Sequence, residues 1–226
     1  MVRLFVGYDA DEALAYSVFS FSVQRRASIP VAITPVMRSQ LAFHNRARGP
    51  LESTDFSITR FLVPYLCGYQ GWAIFADSDM LCRADIARLW GRREARYAVS
   101  VVKHHQFDPR PTKFLGRAQT PYARKNWSSL MLFNCAMARA LTPEYVNTAS
   151  GLDLHQFRWV LDEQIGALPA DWNHLVGCGM ANPEAKIVHY TLGMPFFHGY
   201  AECEFAGEWR AERAAMMAYK RGQEAA

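Results

Sequence analysis

Apolar residues come in short runs along this chain, and polar segments separate the runs. Leu4 to Gly7 reads as a short buried strand. Asp9-Ala10-Asp11-Glu12 follows, with an acid three residues before a glutamate, a pattern close to a capping box. The helix it opens should run to about Arg26, with Leu14, Val18, Phe19 and Phe21 turned inward. Pro30 ends that region, and Val31 to Val36 is the next strand. Residues 37–50 are polar and close on the breaker Gly49-Pro50. Ser53-Thr54-Asp55 starts a second helix through about Cys67, irregular near Pro64. Trp72 to Ala76 is an apolar strand that runs straight into Asp77-Ser78-Asp79.

The second half is less regular. Tyr97 to Lys103, Leu130 to Cys135 and Lys186 to Tyr190 read as strands. Leu161 to Leu168 reads as a short helix, and Glu208 to Arg221 as a terminal one. His104 to Arg124 is a long polar segment with Pro109, Pro111 and Pro121, the profile of a lid or binding loop. Strands alternating with helices imply an α/β domain around a mostly parallel sheet, where ligands bind beyond the carboxyl ends of the strands. Gly7-Tyr8-Asp9 and Asp77-Ser78-Asp79 both follow such ends.

Composition narrows the classes. The chain has 226 residues, half of them hydrophobic, which suits one domain with a substantial core. The net charge of +4 fits an anionic small substrate, and the dispersed basic residues argue against nucleic acid. No apolar run reaches the ~18 residues of a membrane span. The opening Met1-Val2-Arg3-Leu4-Phe5-Val6 reads as a strand rather than a secretory leader, so the expected location is the cytoplasm. Five cysteines, at spacings that match no zinc site, read as buried thiols.

The chemistry centres on Asp77 and Asp79. Residues two apart in extended chain point the same way, so both carboxylates can converge on one hard divalent cation. An Asp-x-Asp alone is also a solvated strand end, or the start of a haloacid-dehalogenase-type phosphatase. In such phosphatases Thr or Val stands two residues after the second Asp, on the first strand; here that position is Leu81 and earlier strands precede it. His189, in an apolar strand, is a candidate third ligand, since neutral imidazole binds manganese as well as softer metals.

The ordered set of segments resembles the GT-A glycosyltransferases, close to glycosyltransferase family 8, the glycogenin and bacterial galactosyltransferase group. The matching pieces are Phe5-Val6-Gly7-Tyr8-Asp9, residues 53–64, Ala76-Asp77-Ser78-Asp79-Met80-Leu81, residues 125–134, Leu161-Asp162-Glu163-Gln164-Ile165 and His189-Tyr190-Thr191-Leu192-Gly193. The resemblance implies a single Rossmann-like GT-A domain over 1–226. Residues 1–103 would be its nucleotide-binding half, 104–204 its donor-sugar and acceptor half, and 205–226 a terminal helix.

It also implies transfer of a hexose from a nucleotide sugar such as a UDP-sugar, with retention, to a glycan, lipid-linked or protein acceptor. Asp77, Asp79 and His189 would bind manganese or magnesium. Val6, Gly7, Tyr8 and Asp9 would face the base and ribose, and Ser78 and Gly193 belong to the same donor-binding set. Arg60 would sit near the donor sugar or diphosphate, and Ser128, Asp162 and Glu163 would line the sugar pocket, with Glu163 nearest the reacting face.

Two departures stand out. Family members commonly carry a lysine a few residues after the histidine, where this chain reads Leu192-Gly193-Met194-Pro195. The usual Asn-Ser/Ala-Gly turn is replaced by Trp127-Ser128-Ser129. Lys125, Arg124, Lys113 and Lys186 are the cations that could take the lysine's place. The missing lysine keeps a noncatalytic sugar-nucleotide-binding protein as the alternative function. Trp209, Met216 and Met217 on the terminal helix offer either packing on the domain or contact with a membrane surface.

Overall fold

The computed structural model describes residues 1–49, 52–105, 112, 116 and 122–218. Pro50, the three prolines and Lys113 of the long polar segment, and the helix end expected at Arg221 lie outside these residues.

The main sheet has six strands: β1 (Val2–Gly7), β2 (Val31–Val36), β3 (Trp72–Ala76), β5 (Val99–Val101), β6 (Leu130–Asn134) and β7 (Ile165–Ala167). Their order is β2-β1-β3-β6-β5-β7. The β1–β2, β1–β3 and β5–β7 pairs are parallel, while β6 lies antiparallel between β3 and β5. Five strands therefore run one way, which gives the expected mostly parallel sheet. A second sheet holds β4 (Met80–Cys82), β9 (Ile187–His189) and β8 (His174–Leu175), in that order.

Side chains alternate across the main sheet, as the two-residue strand period requires. Phe5, Phe75, Met131 and Phe133 enter one apolar layer, with Phe61, Leu62 and Phe157 from the connections. Leu4, Val6, Ile74 and Leu132 enter the opposite layer, covered by Phe19 and Val23 of α1 (Ala13–Arg26) and by Ile86 and Leu89 of α3 (Ile86–Trp90). The buried stripe of α1 is Ala15, Val18, Phe19, Ser22 and Val23, at helical spacing, while Leu14 and Phe21 are half-buried. Ser22 ties this helix to the small sheet by accepting a hydrogen bond from the Cys82 amide (3.0 Å). The terminal helix α6 (Ala206–Ala218) packs on α1; Trp209 is buried against Phe196, with ring centroids 5.5 Å apart, so this residue belongs to the core and Met217 stays exposed.

Two expected helices take other forms. Residues 53–67 make turns, a 3-10 segment (Thr59–Leu62) and only one α turn, α2 (Val63–Leu66). Thr54 and Ser57 hydrogen-bond each other (3.1 Å), an alternative to the helical ladder, and Pro64 is tolerated because it falls in the first turn of α2. Residues 161–168 are a 3-10 turn (Asp162–Gln164) followed by strand β7. Pairing with β5 overrides the helical preference there. Gly166 lies so close to β5 that a Cβ would meet the Ser100 hydroxyl at 2.4 Å.

Gly7, at the end of β1, faces the ring of Phe56: an added Cβ would lie 2.3 Å from it. Gly7→Ala should therefore destabilise the protein by about 1–3 kcal/mol in urea unfolding, through overpacking. Most of that loss should vanish in a Phe56→Ala background. An equal loss in both backgrounds would show that the ring is not what the methyl meets.

Candidate functional site

The metal-type cluster arises from strand pairing. Asp77, Ser78 and Asp79 form the bend between β3 and β4, rather than the extended strand end expected from the sequence. β4 begins at once and pairs antiparallel with β9, Met80 opposite His189, and the Tyr190 amide donates to the Asp79 carbonyl (2.8 Å). That register sets the imidazole beside both carboxylates. His189 Nε2 lies 3.1 Å from Asp79 Oδ1 and 3.9 Å from Asp77 Oδ2. One ligand atom from each of the three residues lies within 4.8 Å of the others, and all three side chains are buried. Ser78 points elsewhere: its hydroxyl donates to the buried Glu12 carboxylate (2.8 Å).

Arg60 is the balancing charge. It is buried, its Nη1 lies 2.8 Å from Asp77 Oδ1 and donates to the Ser128 carbonyl (3.0 Å), and its Nε donates to the Phe56 carbonyl (3.3 Å). The rings of Phe56 and Phe75 flank the guanidinium at 5.3 and 5.1 Å. Two carboxylates share one guanidinium and one imidazole in a buried place, where unbalanced charge is costly. A hard divalent ion suits that donor set of carboxylate oxygens and one imidazole nitrogen.

The cluster opens on a cavity of about 410 Å³. Arg60, Ser128, His155, Tyr122 and Lys125 line it together with Asp77, Asp79 and His189. Sequence reasoning did not single out His155 or Tyr122. The Ser128 hydroxyl and His155 Nδ1 lie 2.8 Å apart. Burial, with Arg60 and then Arg46 nearby, pushes His155 down to about 3, so it is a neutral hydrogen-bonding group. Burial pushes Tyr122 up to about 12, which keeps its hydroxyl protonated.

Of the cations proposed to stand in for the absent lysine, only Lys125 lines this cavity among the described residues. Arg124 binds the Asp162 carboxylate (2.6 and 2.7 Å), and Lys186 binds Asp171 (2.5 Å).

The other expected site residues lie around this centre. Val6 is core. Tyr8 packs edge-on against Tyr16, with centroids 5.4 Å apart. Asp9 caps the 3-10 turn Ala10–Glu12 by accepting from the Asp11 amide, and its other oxygen accepts from the Asp55 amide (3.0 Å). Gly193 has a packing reason like that of Gly7, since a Cβ would meet the Tyr200 ring at 2.5 Å. Asp162 and Glu163 are exposed and do not line the cavity; Asp162 is joined through Arg124 to the loop that carries Lys125. Asn173, fully buried, contacts His189 and had no sequence signal, because an orienting amide belongs to no recognisable spacing.

His155 makes stability pH-dependent. Its folded pKa lies below the ordinary histidine value near 6.5, so the unfolded chain binds its proton more readily. The stability is complete above about pH 6.5 and falls as pH drops towards 3. Half-buried His104, pushed down to about 4 chiefly by desolvation, acts in the same direction. Replacing His155 by Gln should remove about 1–2 kcal/mol of the loss seen between pH 7 and pH 5 in urea titrations.

No family model matches the chain. Protein CDI of Arabidopsis thaliana is 46% identical over 220 residues, covering 93% of this chain and 85% of that protein. Among solved structures, the galactosyltransferase LgtC in complex with donor and acceptor sugar analogs superposes with a TM-score of 0.62 at 10% identity, over 95% of this chain and 96% of that one. The glycosyltransferase GlyE of Streptococcus pneumoniae TIGR4 gives 0.64 at 10% identity, over 99% and 65%. The bifunctional glycosyltransferase WbbM gives 0.64 at 16%, over 97% of this chain and 51% of WbbM, so the chain spans about half of that protein. These structures establish the fold as that of the GT-A glycosyltransferases, and the identity to the Arabidopsis protein across nearly the whole chain establishes the relationship: the chain belongs to the family of Protein CDI.

Proposed function

We propose that this protein is a metal-dependent glycosyltransferase of the family 8 type, moving a hexose from a nucleoside-diphosphate sugar, a UDP-sugar in the first instance, to a hydroxyl of a glycan, lipid-linked sugar or protein. The observation that carries the reading is the buried Asp77–Asp79–His189 cluster opening on the 410 Å³ cavity within a GT-A fold. Manganese or magnesium is the proposed cofactor. The first half, residues 1–103, supplies Arg60 and both aspartates, and 104–204 supplies Ser128 and His189. The cytoplasm is the proposed location; none of the five cysteines is joined in a disulfide, as a reducing compartment would keep them.

Departure of a nucleoside diphosphate from the anomeric carbon leaves an oxocarbenium-like centre and places negative charge on the diphosphate. A bound divalent ion supplies Lewis-acid stabilisation of that charge. Arg60 holds Asp77 by Oδ1 and leaves Oδ2 on the side of His189. Lys125 brings positive charge to the same cavity, the role proposed for it in place of the absent lysine. Ser128, neutral His155 and the Tyr122 hydroxyl offer polar groups for sugar hydroxyls. Val6, Gly7, Tyr8 and Asp9 remain the proposed base and ribose side, with Ser78 and Gly193 behind the diphosphate. Retention, and the roles of Asp162 and Glu163 near the sugar, are part of the same proposal. The exposure of these two carboxylates favours the second reading, a binding protein without turnover.

With manganese and a UDP-sugar at ~100 times its dissociation constant, thermal unfolding should show about 2.7 kcal/mol of added stability. Asp79→Ala should abolish that gain while the chain stays folded by circular dichroism; an undiminished gain in the variant would refute the site. Release of UDP from the donor separates a transferase from a binding protein. Lys125→Ala should weaken UDP binding by about 10- to 100-fold at fixed manganese, the worth of one hydrogen bond to a charged group, with manganese affinity unchanged in calorimetry.

A further inference from the structure

The orientation of His189 can be traced through a chain of hydrogen bonds to a main-chain oxygen. The Asn126 carbonyl can only accept. The Ser129 hydroxyl lies 2.7 Å from it and must spend its one proton there. Towards Asn173 the same hydroxyl therefore presents lone pairs, so the amide faces it with Nδ2 (2.8 Å). The other end of that amide, Oδ1, then faces His189 Nδ1 at 3.2 Å, and an acceptor there requires a hydrogen on Nδ1. In the neutral imidazole that a metal ligand must be, this is the one hydrogen, and Nε2 keeps its lone pair. Nε2 is the atom beside Asp79 Oδ1 and Asp77 Oδ2. One ligand atom from each of the three residues then converges on the same place, which is the arrangement of a metal site.

The chain is well anchored. Asn173 is fully shielded from solvent, and Ser129 nearly so. Asn126 sits at φ 65, the left-handed region, at the start of the 3-10 turn Trp127–Ser129, and that turn returns the Ser129 hydroxyl to its carbonyl. The Ser129 carbonyl in turn accepts from the Asp77 amide (2.9 Å), so the same residue touches both sides of the cluster. Asn126 and Ser129 also line the cavity.

We propose that Asn173 is a positioning residue that fixes the Nδ1–H tautomer of His189, on instruction from the Asn126 carbonyl through Ser129, and so prepares Nε2 as a metal ligand. The proposal rests on the metal reading of the Asp77–Asp79–His189 cluster.

Manganese binding is measured directly, by loss of the free-ion electron paramagnetic resonance signal, on the wild type, Asn173→Leu, Asn173→Asp and Ser129→Ala, with each variant's melting temperature recorded. Asn173→Leu should weaken manganese binding by about 10- to 100-fold, the usual effect of losing the partner that orients a metal-bound imidazole. Asn173→Asp, which still accepts from Nδ1–H, should restore it. Ser129→Ala, the smaller change should Asn173→Leu fail to fold, should weaken binding in the same direction. An Asn173→Leu protein that melts lower yet binds manganese like the wild type would assign Asn173 to folding alone and overturn the inference. Asn173→Asp no tighter than Asn173→Leu would overturn it too. A wild type that takes up no manganese would instead remove the metal reading itself.

Discussion

Two carboxylates buried side by side at the turn between strands β3 and β4 set the terms for everything around them. Removing a carboxylate from water costs several kcal/mol unless charge and hydrogen bonds compensate. Two residues from distant parts of the chain answer that cost: Arg60, from the 3-10 segment before α2, offsets one charge, and His189, from β9, completes with the two aspartates a donor set that suits a cation. Each partner is itself held. Arg60 is clasped by two carbonyls and two aromatic rings, and His189 is set by the β4–β9 register. The small second sheet thus has a clear purpose in the fold, since without it His189 would not reach the aspartates.

The same arrangement explains why cavity and cluster form one unit. Arg60 links Asp77 to the Ser128 carbonyl, Ser128 touches His155, and the Ser129 carbonyl accepts a hydrogen bond from the Asp77 amide. A group bound at the aspartates would therefore be read by the loop that shapes the neighbouring pocket. In the proposed transferase this joins the handling of the diphosphate to the choice of sugar, through contacts between neighbouring residues.

Sequence patterns carried some of these features and not others. β3 was legible to the residue, because a continuous apolar run bounded by turn formers has few other fates, and so was β2, whose β-branched residues lie between Pro30 and the polar segment after Val36. Asp77 and Asp79 were legible because their spacing and position carry a chemical meaning, and His189, a candidate ligand from its place in an apolar strand, was joined to them firmly by the family resemblance. Residues 161–168 misled, because Asp162-Glu163-Gln164 favours a helix while Ile165–Ala167 is claimed by β5. β4 escaped notice as three residues inside an apolar stretch. Gly7 and Gly193 were singled out for ligand binding; that an aromatic ring stands where a Cβ of either would lie is a fact of tertiary contact that no local pattern records. Asn173 and His155 act through hydrogen bonds to residues far away in sequence, which leaves no periodic trace.

The antiparallel strand in the middle of the main sheet also bears on how the chain is made. β5 precedes β6 in the chain, but β6 lies between β5 and β3. As the protein leaves the ribosome, β1, β2 and β3 can pair at once, while β5 has no sheet to join until residue 134 has emerged. β4 waits longer still for β9. Non-local pairings of this kind slow folding, and an unpaired apolar edge invites association with other chains. The first half of this protein would therefore emerge with the outer edge of β3 uncovered and the aspartates without their histidine, so binding competence should be among the last properties the nascent chain acquires.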